Sequence, residues 1–323
     1  MEKLNSKMIF SENNNIRSFF CWMIFLFCSD QLISDESGHL TGYSDIAFFK
    51  GQVIAVGTDG RIDRIFKSGE SITIDHSSPY RLNCAFSNHD LFIAAGEHGT
   101  ILVSSDGISV THAESGTVKN IFGMTLKNGM LIAGSERGTL LISNDGQSWS
   151  PVQTKARGDI LSLSSNHSFS IGVTDAGEIM KSSDGINWEI RDYNKEYTGY
   201  NKVSQFKKIL AAQNRFVIIG EHDDASPSIL FSSLGNVWAE RLPVYHDDGQ
   251  MGILINKPNG ITYDPDRNQF ILACDNGELL SLPGCTQCNQ YTKISENDLN
   301  AILYTDNCLV IAGDEYSVFI QTF

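Results

Sequence analysis

Basic residues are scarce in this chain. Twenty-four Lys and Arg face 38 Asp and Glu over 323 residues, a net charge of −14. No dense basic cluster exists, and Lys207-Lys208 is the only adjacent basic pair. Such a surface repels phosphate backbones, which excludes nucleic acid as a partner. Only 7 prolines and 28 glycines accompany a hydrophobic content of 41%, too ordered a composition for a disordered chain. No stretch carries a helical period of 12 residues or more. Long apolar runs are also missing: the longest, Phe19–Cys28, is half of the roughly 20 residues that a membrane-spanning helix needs. Gly-x-Ser-x-Gly, phosphate-loop and His-Glu-x-x-His motifs are all absent.

What is present is a repeat. Short apolar runs ending in Gly or a substitute recur at Val53–Gly57, Phe92–Gly96, Leu131–Gly134, Ser170–Gly172, Val217–Gly220, Ile271–Cys274 and Val310–Gly313. The steps between their last residues are 39, 38, 38, 48, 54 and 39. A period near 40 made of strand-like units describes a small sheet that cannot bury its own faces alone. Seven such sheets set radially make an all-β, seven-bladed β-propeller with four-stranded blades. The ring overrides the length prior of two domains. Blade 2 reads as Arg81–Ser87, Leu91–Gly96, Thr100–Ser105 and Ile108–Ala113, with turn residues between.

The turn from third to fourth strand carries a signature. It reads Ser104-Ser105-Asp106-Gly107, Ser143-Asn144-Asp145-Gly146 up to Trp149, and Ser182-Ser183-Asp184-Gly185 up to Trp188. A worn copy runs from Ser232 through Leu234 and Gly235 to Trp238. Asp accepts backbone N–H bonds, Gly takes positive φ, and Trp packs back over the turn. These turns resemble the Asp-box, or BNR, repeat, with one residue fewer between Asp and Gly than its usual form. The phrase from Gly96 to Gly107 looks like that of exported propellers similar to photosystem II stability/assembly factors, and more distantly of sialidase-type propellers. The resemblance covers about residues 44–323 and is strongest in 85–190. It implies fold strongly and activity weakly, with Asp106, Asp145, Asp184, Trp149, Trp188 and Trp238 in structural roles.

The first 30 residues stand apart. Lys3, Lys7 and Arg17 precede the Phe19–Cys28 run, the pattern of a signal peptide or membrane-targeting segment, with a buried N-terminal strand as the rival use. Residues 31–323 then form one propeller, exported to the periplasm, envelope or exterior, a monomer that meets the membrane only through its N-terminal segment. Cys285 and Cys288 suit a local disulfide, while Cys84, Cys274 and Cys308 fall in strand patterns as core residues. The last repeat has only three strands before the chain ends, so Gln31–Gly42 is the expected strand that closes blade 7.

Loops between second and third strands, and between blades, share one face of a propeller. Each blade places a carboxylate there: Asp59, Glu97, Glu136, Asp175, Glu221, Asp275 and Asp314. These suit tight turns, or a negative ring that attracts a cationic segment or a metal. Extra residues appear at Asp192–Val203, Glu221–Ser228 and Pro243–Asn259, all expected on that face around blade 5. They carry Tyr193, Tyr197, Tyr200, His222, Asp223, Asp224, Tyr245, His246, Asp247 and Asp248, the candidate binding residues. No catalytic residue, resident metal or cofactor is assigned. The favoured reading is a non-catalytic scaffold for a protein or glycan partner, in particular a cationic one. The alternative is a glycan-active hydrolase of the sialidase-like class, although the Arg-Ile-Pro marker of that class is absent here.

Overall fold

The computed structural model describes residues 24–25, 41–196, 202–240, 244–247, 250–253, 256–283 and 290–323. They form seven four-stranded antiparallel sheets and one separate hairpin. The first, second, third and fourth strands of blade 1 are Tyr43–Phe49, Gln52–Gly57, Ile62–Ile65 and Ser71–Thr73. Blades 2 to 4 repeat this order at 82–112, 121–153 and 160–192. Blade 5 holds Val203–Ala212, Arg215–His222, Pro227–Ser232 and Ala239–Glu240. Blade 6 runs from Pro258 to Lys293, and the first three strands of blade 7 from Leu299 to Thr322. The architecture is a seven-bladed β-propeller.

The burial pattern explains why these segments become strands. Every second strand is almost wholly buried, as in Gln52–Gly57 and Cys308–Gly313. Such a strand is covered on both faces, so it reads as a continuous apolar run rather than an alternating one. Successive residues serve different neighbours. Val217 and Ile219 join a cluster with Phe270 and Leu272 of blade 6, while Phe216 and Ile218 face Ile171 and Val173 of blade 4. Seven apolar clusters result, each filling one gap between adjacent blades. No blade owns a core; each shares two. Fourth strands lie outermost, and Ser71–Thr73 and Thr111–His112 are exposed throughout. Cys84, Cys274 and Cys308 are buried and form no disulfide, as expected of core residues. Cys285 and Cys288 lie outside the described residues.

Each first strand bulges by one residue after its first pair, at Ser44, Asn83, Phe122, Leu161, Ser204, Asn259 and Asn300. Where that residue is Asn, its amide crosses to the next blade. Asn83 donates to Ile121 O at 2.9 Å, Asn259 to Leu299 O at 3.3 Å and Asn300 to Tyr43 O at 3.0 Å. The last of these helps close the ring. Around it the Tyr43 and Tyr316 rings meet edge-on at 5.2 Å, Thr58 Oγ1 lies 2.7 Å from the Tyr316 hydroxyl, and Glu315 N–H donates to Thr41 O at 2.6 Å.

The strand that completes blade 7 is N-terminal, as expected, but it is not Gln31–Gly42. Ile24 and Phe25 pair antiparallel with Ile320 and Phe319. The difference follows from composition: Ile24 and Phe25 belong to an aromatic and β-branched stretch, whereas 31–42 is rich in Ser, Asp, Glu and Gly. Of the expected strand, Gly42 makes one isolated bridge to Asp314, and residues 31–40 lie outside the described residues. The separate hairpin pairs Val244–Asp247 with Gln250–Ile253, within the connection from blade 5 to blade 6.

Candidate functional site

Strand register corrects the repeat markers. The second-strand residues paired with the start of each first strand are Gly57, Gly96, Ser135, Thr174, His222, Cys274 and Gly313. Between these seven positions the steps are 39, 39, 39, 48, 52 and 39. Gly134, Gly172 and Gly220 stand one or two residues early. The position demands closeness to a neighbouring carbonyl, and Ser135 and Thr174 meet that demand without glycine.

The residue after each marker donates its N–H to the last residue of the preceding connection. Thr58, Glu97, Glu136, Asp175, Asp223, Asp275 and Asp314 reach Gly42, Arg81, Asn120, Asp159, Lys202, Lys257 and Asp298 at 2.9–3.3 Å. The second-to-third turns and the blade connections therefore share one face. The equivalent set holds six carboxylates and Thr58; Asp59 and Glu221 fall outside it. Several of these acids serve the scaffold. Asp175 Oδ1 accepts Asp159 N–H at 2.7 Å, Asp275 Oδ1 accepts the Asn259 amide at 2.7 Å, and Asp314 Oδ1 accepts the Asn300 amide at 2.8 Å. Burial lifts the carboxyls of Asp175 and Asp314 above the usual carboxylate range.

Blade 5 breaks the period in three places, and two of them are among the three expected. From marker to next first strand the chain takes 25 residues at Gly57–Leu82 and at Cys274–Leu299, 29 at Thr174–Val203 and 36 at His222–Pro258. The third departure is in the inner hairpin of blade 5, which has two more rungs than that of blade 1 and a second bulge at Lys207. Its extra rungs extend toward the opposite face. Glu221–Ser228 holds no insertion, since His222 N–H closes on Ser226 O just as Gly57 N–H closes on Arg61 O.

The candidate residues divide accordingly. Tyr193 begins a four-residue helix and is 7% exposed, its ring 5.8 Å from that of Phe206 in the blade 4–5 core. It is a packing residue, which overturns its expected place on an exposed loop. His222 is buried as well, and its Nε2 lies 2.7 Å from Glu240 Oε1. Asp223 and Asp224 are exposed, with Asp224 Oδ1 accepting Ser226 N–H at 3.0 Å. Tyr245, His246 and Asp247 sit in the first strand of the separate hairpin, opposite Gly252, Met251 and Gln250. Tyr197, Tyr200 and Asp248 lie outside the described residues. Among the described residues, no group of three His, Cys, Asp or Glu is placed to hold a metal.

Sequence reasoning missed the contacts that cross the ring. Lys208 Nζ reaches across the ring to Asp45 Oδ1 of blade 1 at 3.1 Å and to Asn300 O of blade 7 at 3.4 Å. Beside it, the bulged Lys207 donates to Asn259 Oδ1 at 2.8 Å, and burial holds its ammonium below the usual lysine range. Lys257 Nζ pairs with Glu221 Oε2 at 2.8 Å. The only adjacent basic pair in the chain was the available signal, and its inward direction depends on a bulge that no local pattern announces.

The third-to-fourth turns form the opposite face. Asp106, Asp145 and Asp184 each accept two successive backbone N–H groups through Oδ1 at 2.8–2.9 Å. These bonds hold all three carboxyls below the usual carboxylate range; for Asp184 the Asn187 side chain contributes most. Gly107, Gly146 and Gly185 take φ of +73°, +76° and +83°, the left-handed region that favours glycine. Trp149 and Trp188 donate their indole N–H back to Gly146 O and Gly185 O at 3.0 Å.

Fold and turns define a propeller whose surface loops are the variable part. No protein-family model and no curated protein matches the chain. Solved structures do. The complex titled YCF48 bound to D1 peptide has a TM-score of 0.66 and 16% identity over 95% of this chain and 96% of that one. The WD40 propeller domain of Doa1 gives 0.67 and 12% over 88% and 94%, and U3-55K gives 0.69 and 11% over 88% and 97%. At such identities the likeness is one of fold.

Proposed function

We propose that this chain is a non-catalytic scaffold whose blade 5 connections form the binding surface for a protein partner. One observation carries the reading: the 39-residue spacing holds through blades 1 to 4 and again from 6 to 7, and fails only on the two sides of blade 5. Rigid blades presenting irregular loops are a common design for recognition. Its structural neighbours add support, since one of them is YCF48 with a bound peptide. The turn geometry supports kinship with Asp-box propellers, and the N-terminal segment supports export. Pairing of Ile24–Phe25 with blade 7 favours the rival use of that apolar run, as an N-terminal strand, over a cleaved targeting segment.

The test replaces residues 243–256 with a short Gly-Ser connection, chosen to approach the 25-residue spacing seen at Gly57–Leu82 and Cys274–Leu299. Partner capture from an envelope extract should fall at least about tenfold while the melting temperature holds, as expected when an interface loop is removed from a rigid scaffold. Undiminished capture would move the surface away from blade 5. Mass analysis of the purified chain shows whether residues 1–30 remain.

A further inference from the structure

One buried position sets blade 5 apart from its siblings. The marker is glycine in blades 1, 2 and 7, and a Cβ on Gly96 would stand 1.9 Å from Arg81 O. That carbonyl ends the preceding connection and accepts Glu97 N–H. Blade 5 has His222 at the marker, and its ring addresses the equivalent carbonyl. Nδ1 lies 3.3 Å from Lys202 O, which also accepts Asp223 N–H at 3.0 Å. Nε2 lies 2.7 Å from Glu240 Oε1, which also accepts the Ser228 hydroxyl at 2.9 Å. The His222 and Glu240 side chains are 8% and 15% exposed.

These partners fix the proton inventory. A carbonyl oxygen only accepts, so Nδ1 carries a proton. A carboxylate also accepts, so the Nε2–Oε1 contact is satisfied only with a second proton between the two atoms, as in an imidazolium. A neutral ring accepting from a protonated Glu240 holds the same number of protons. Removing one leaves a nitrogen lone pair facing a carboxylate oxygen in a water-poor site, which is repulsive.

We propose that His222 and Glu240 form a proton-operated clamp on the two irregular connections, and so regulate the surface assigned above. Lys202 is the last residue of the blade 4–5 connection, and Glu240 ends the strand from which the blade 5–6 connection departs. The inference rests on the reading of those connections as the binding surface. Among the described residues, the other charged groups nearby are Glu221, held by Lys257, the exposed Asp223 and Asp224 on the same turn, and the exposed Lys202 side chain. Of these residue types, only imidazole changes charge between about pH 5 and 8 in its ordinary state. The clamp is closed on the acid side and opens as pH rises.

Hydrogen exchange on the isolated full chain, corrected for intrinsic rates, tests this between about pH 5 and 8. Protection of Lys202–Ser204 and Ala239–Glu240 should fall about tenfold with rising pH, while blades 1 to 3 stay constant. His222→Gln should abolish the response. A pH-independent wild type, or the same response in the variant, overturns the clamp. Should His222→Gln fail to fold, nitrogen chemical shifts of the His222 ring in the wild type decide: two N–H groups at pH 5.5 support it, one N–H with Glu240 ionised refutes it. Exchange is read without a partner, so loops that bind nothing leave this result standing, and a failed clamp leaves partner capture untouched.

Discussion

Blades 3 and 5 build the same outer turn in two ways. In blade 3, Ser143 Oγ accepts Gly146 N–H at 2.9 Å, and Asp145 caps Gln147 and Ser148. In blade 5, Ser232 Oγ accepts Gly235 N–H at 2.8 Å, but Leu234 stands where Asp would be and is 62% exposed. The two glycines nevertheless share nearly the same φ, +76° and +72°. Ser and Gly therefore suffice for the shape, and Asp adds caps. Where blade 5 lacks that acceptor inside the turn, blade 4 supplies donors to the oxygens of the turn. Lys181 Nζ donates to Leu234 O at 2.7 Å and Asn236 Oδ1 at 2.5 Å, and Arg191 donates to Asn236 O at 2.7 Å. A self-contained turn has become one that depends on its neighbour.

The largest expected effect separates the two tryptophans. Trp149 is 5% exposed within the blade 2–3 core, whereas Trp238 is half-buried at the edge of its own. Trp149→Ala should cost about 3 kcal/mol in urea unfolding, and Trp238→Ala clearly less. Equal losses would mean that the two turns bear the same load. Next comes Lys181→Met, which removes the anchor that blade 4 lends to the blade 5 turn. Allowing for its partial exposure, about 1 kcal/mol should be lost, with faster exchange confined to residues 233–238.

Acid offers a subtler contrast. The carboxyls of Asp106, Asp145 and Asp184 lie lower in the folded chain than in the unfolded one. Their contribution is therefore complete above the ordinary Asp value near 3.9 and is lost as pH falls through the folded values. Melting temperature should fall below about pH 4, and Asp145→Ala should make that fall shallower. An unchanged acid limb would show that these caps are energetically idle. The smallest effect runs the other way. Leu234→Asp should restore the missing caps and raise stability by about 0.5 kcal/mol, in the range of a single cap; no gain would mean that water serves those exposed N–H groups as well as a carboxylate does.

Much of this architecture was legible because it is local and repeated. Alternating residues of each second strand face two different neighbours, so the apolar runs had to be continuous, and continuity is easy to see. Marker residues were harder. Ser135, Thr174 and His222 occupy a place where glycine is common, so reading for glycine shifted those blades by one or two positions. The candidate surface was legible as extra length and not as residue roles. Tyr193 looks like a loop anchor in sequence, yet its burial depends on Phe206, thirteen positions away across a blade gap. The cross-ring pair of Lys208 with Asp45 joins residues 163 apart and leaves no local trace.

The seam between blades 7 and 1 has a consequence for the order of events during synthesis. It joins Asn300 to Tyr43 and Tyr316 to Thr58, separations of 257 and 258 residues. Until Leu299–Thr322 leaves the ribosome, six blades stand as an open arc with two bare apolar ends: Ile271, Ala273 and Leu279 at one, and Tyr43, Ile46 and Val53 at the other. Closure of so long a loop is slow and entropically costly, and it cannot precede the synthesis of blade 7. The nascent arc, rather than the finished ring, is the form of this chain most exposed to aggregation.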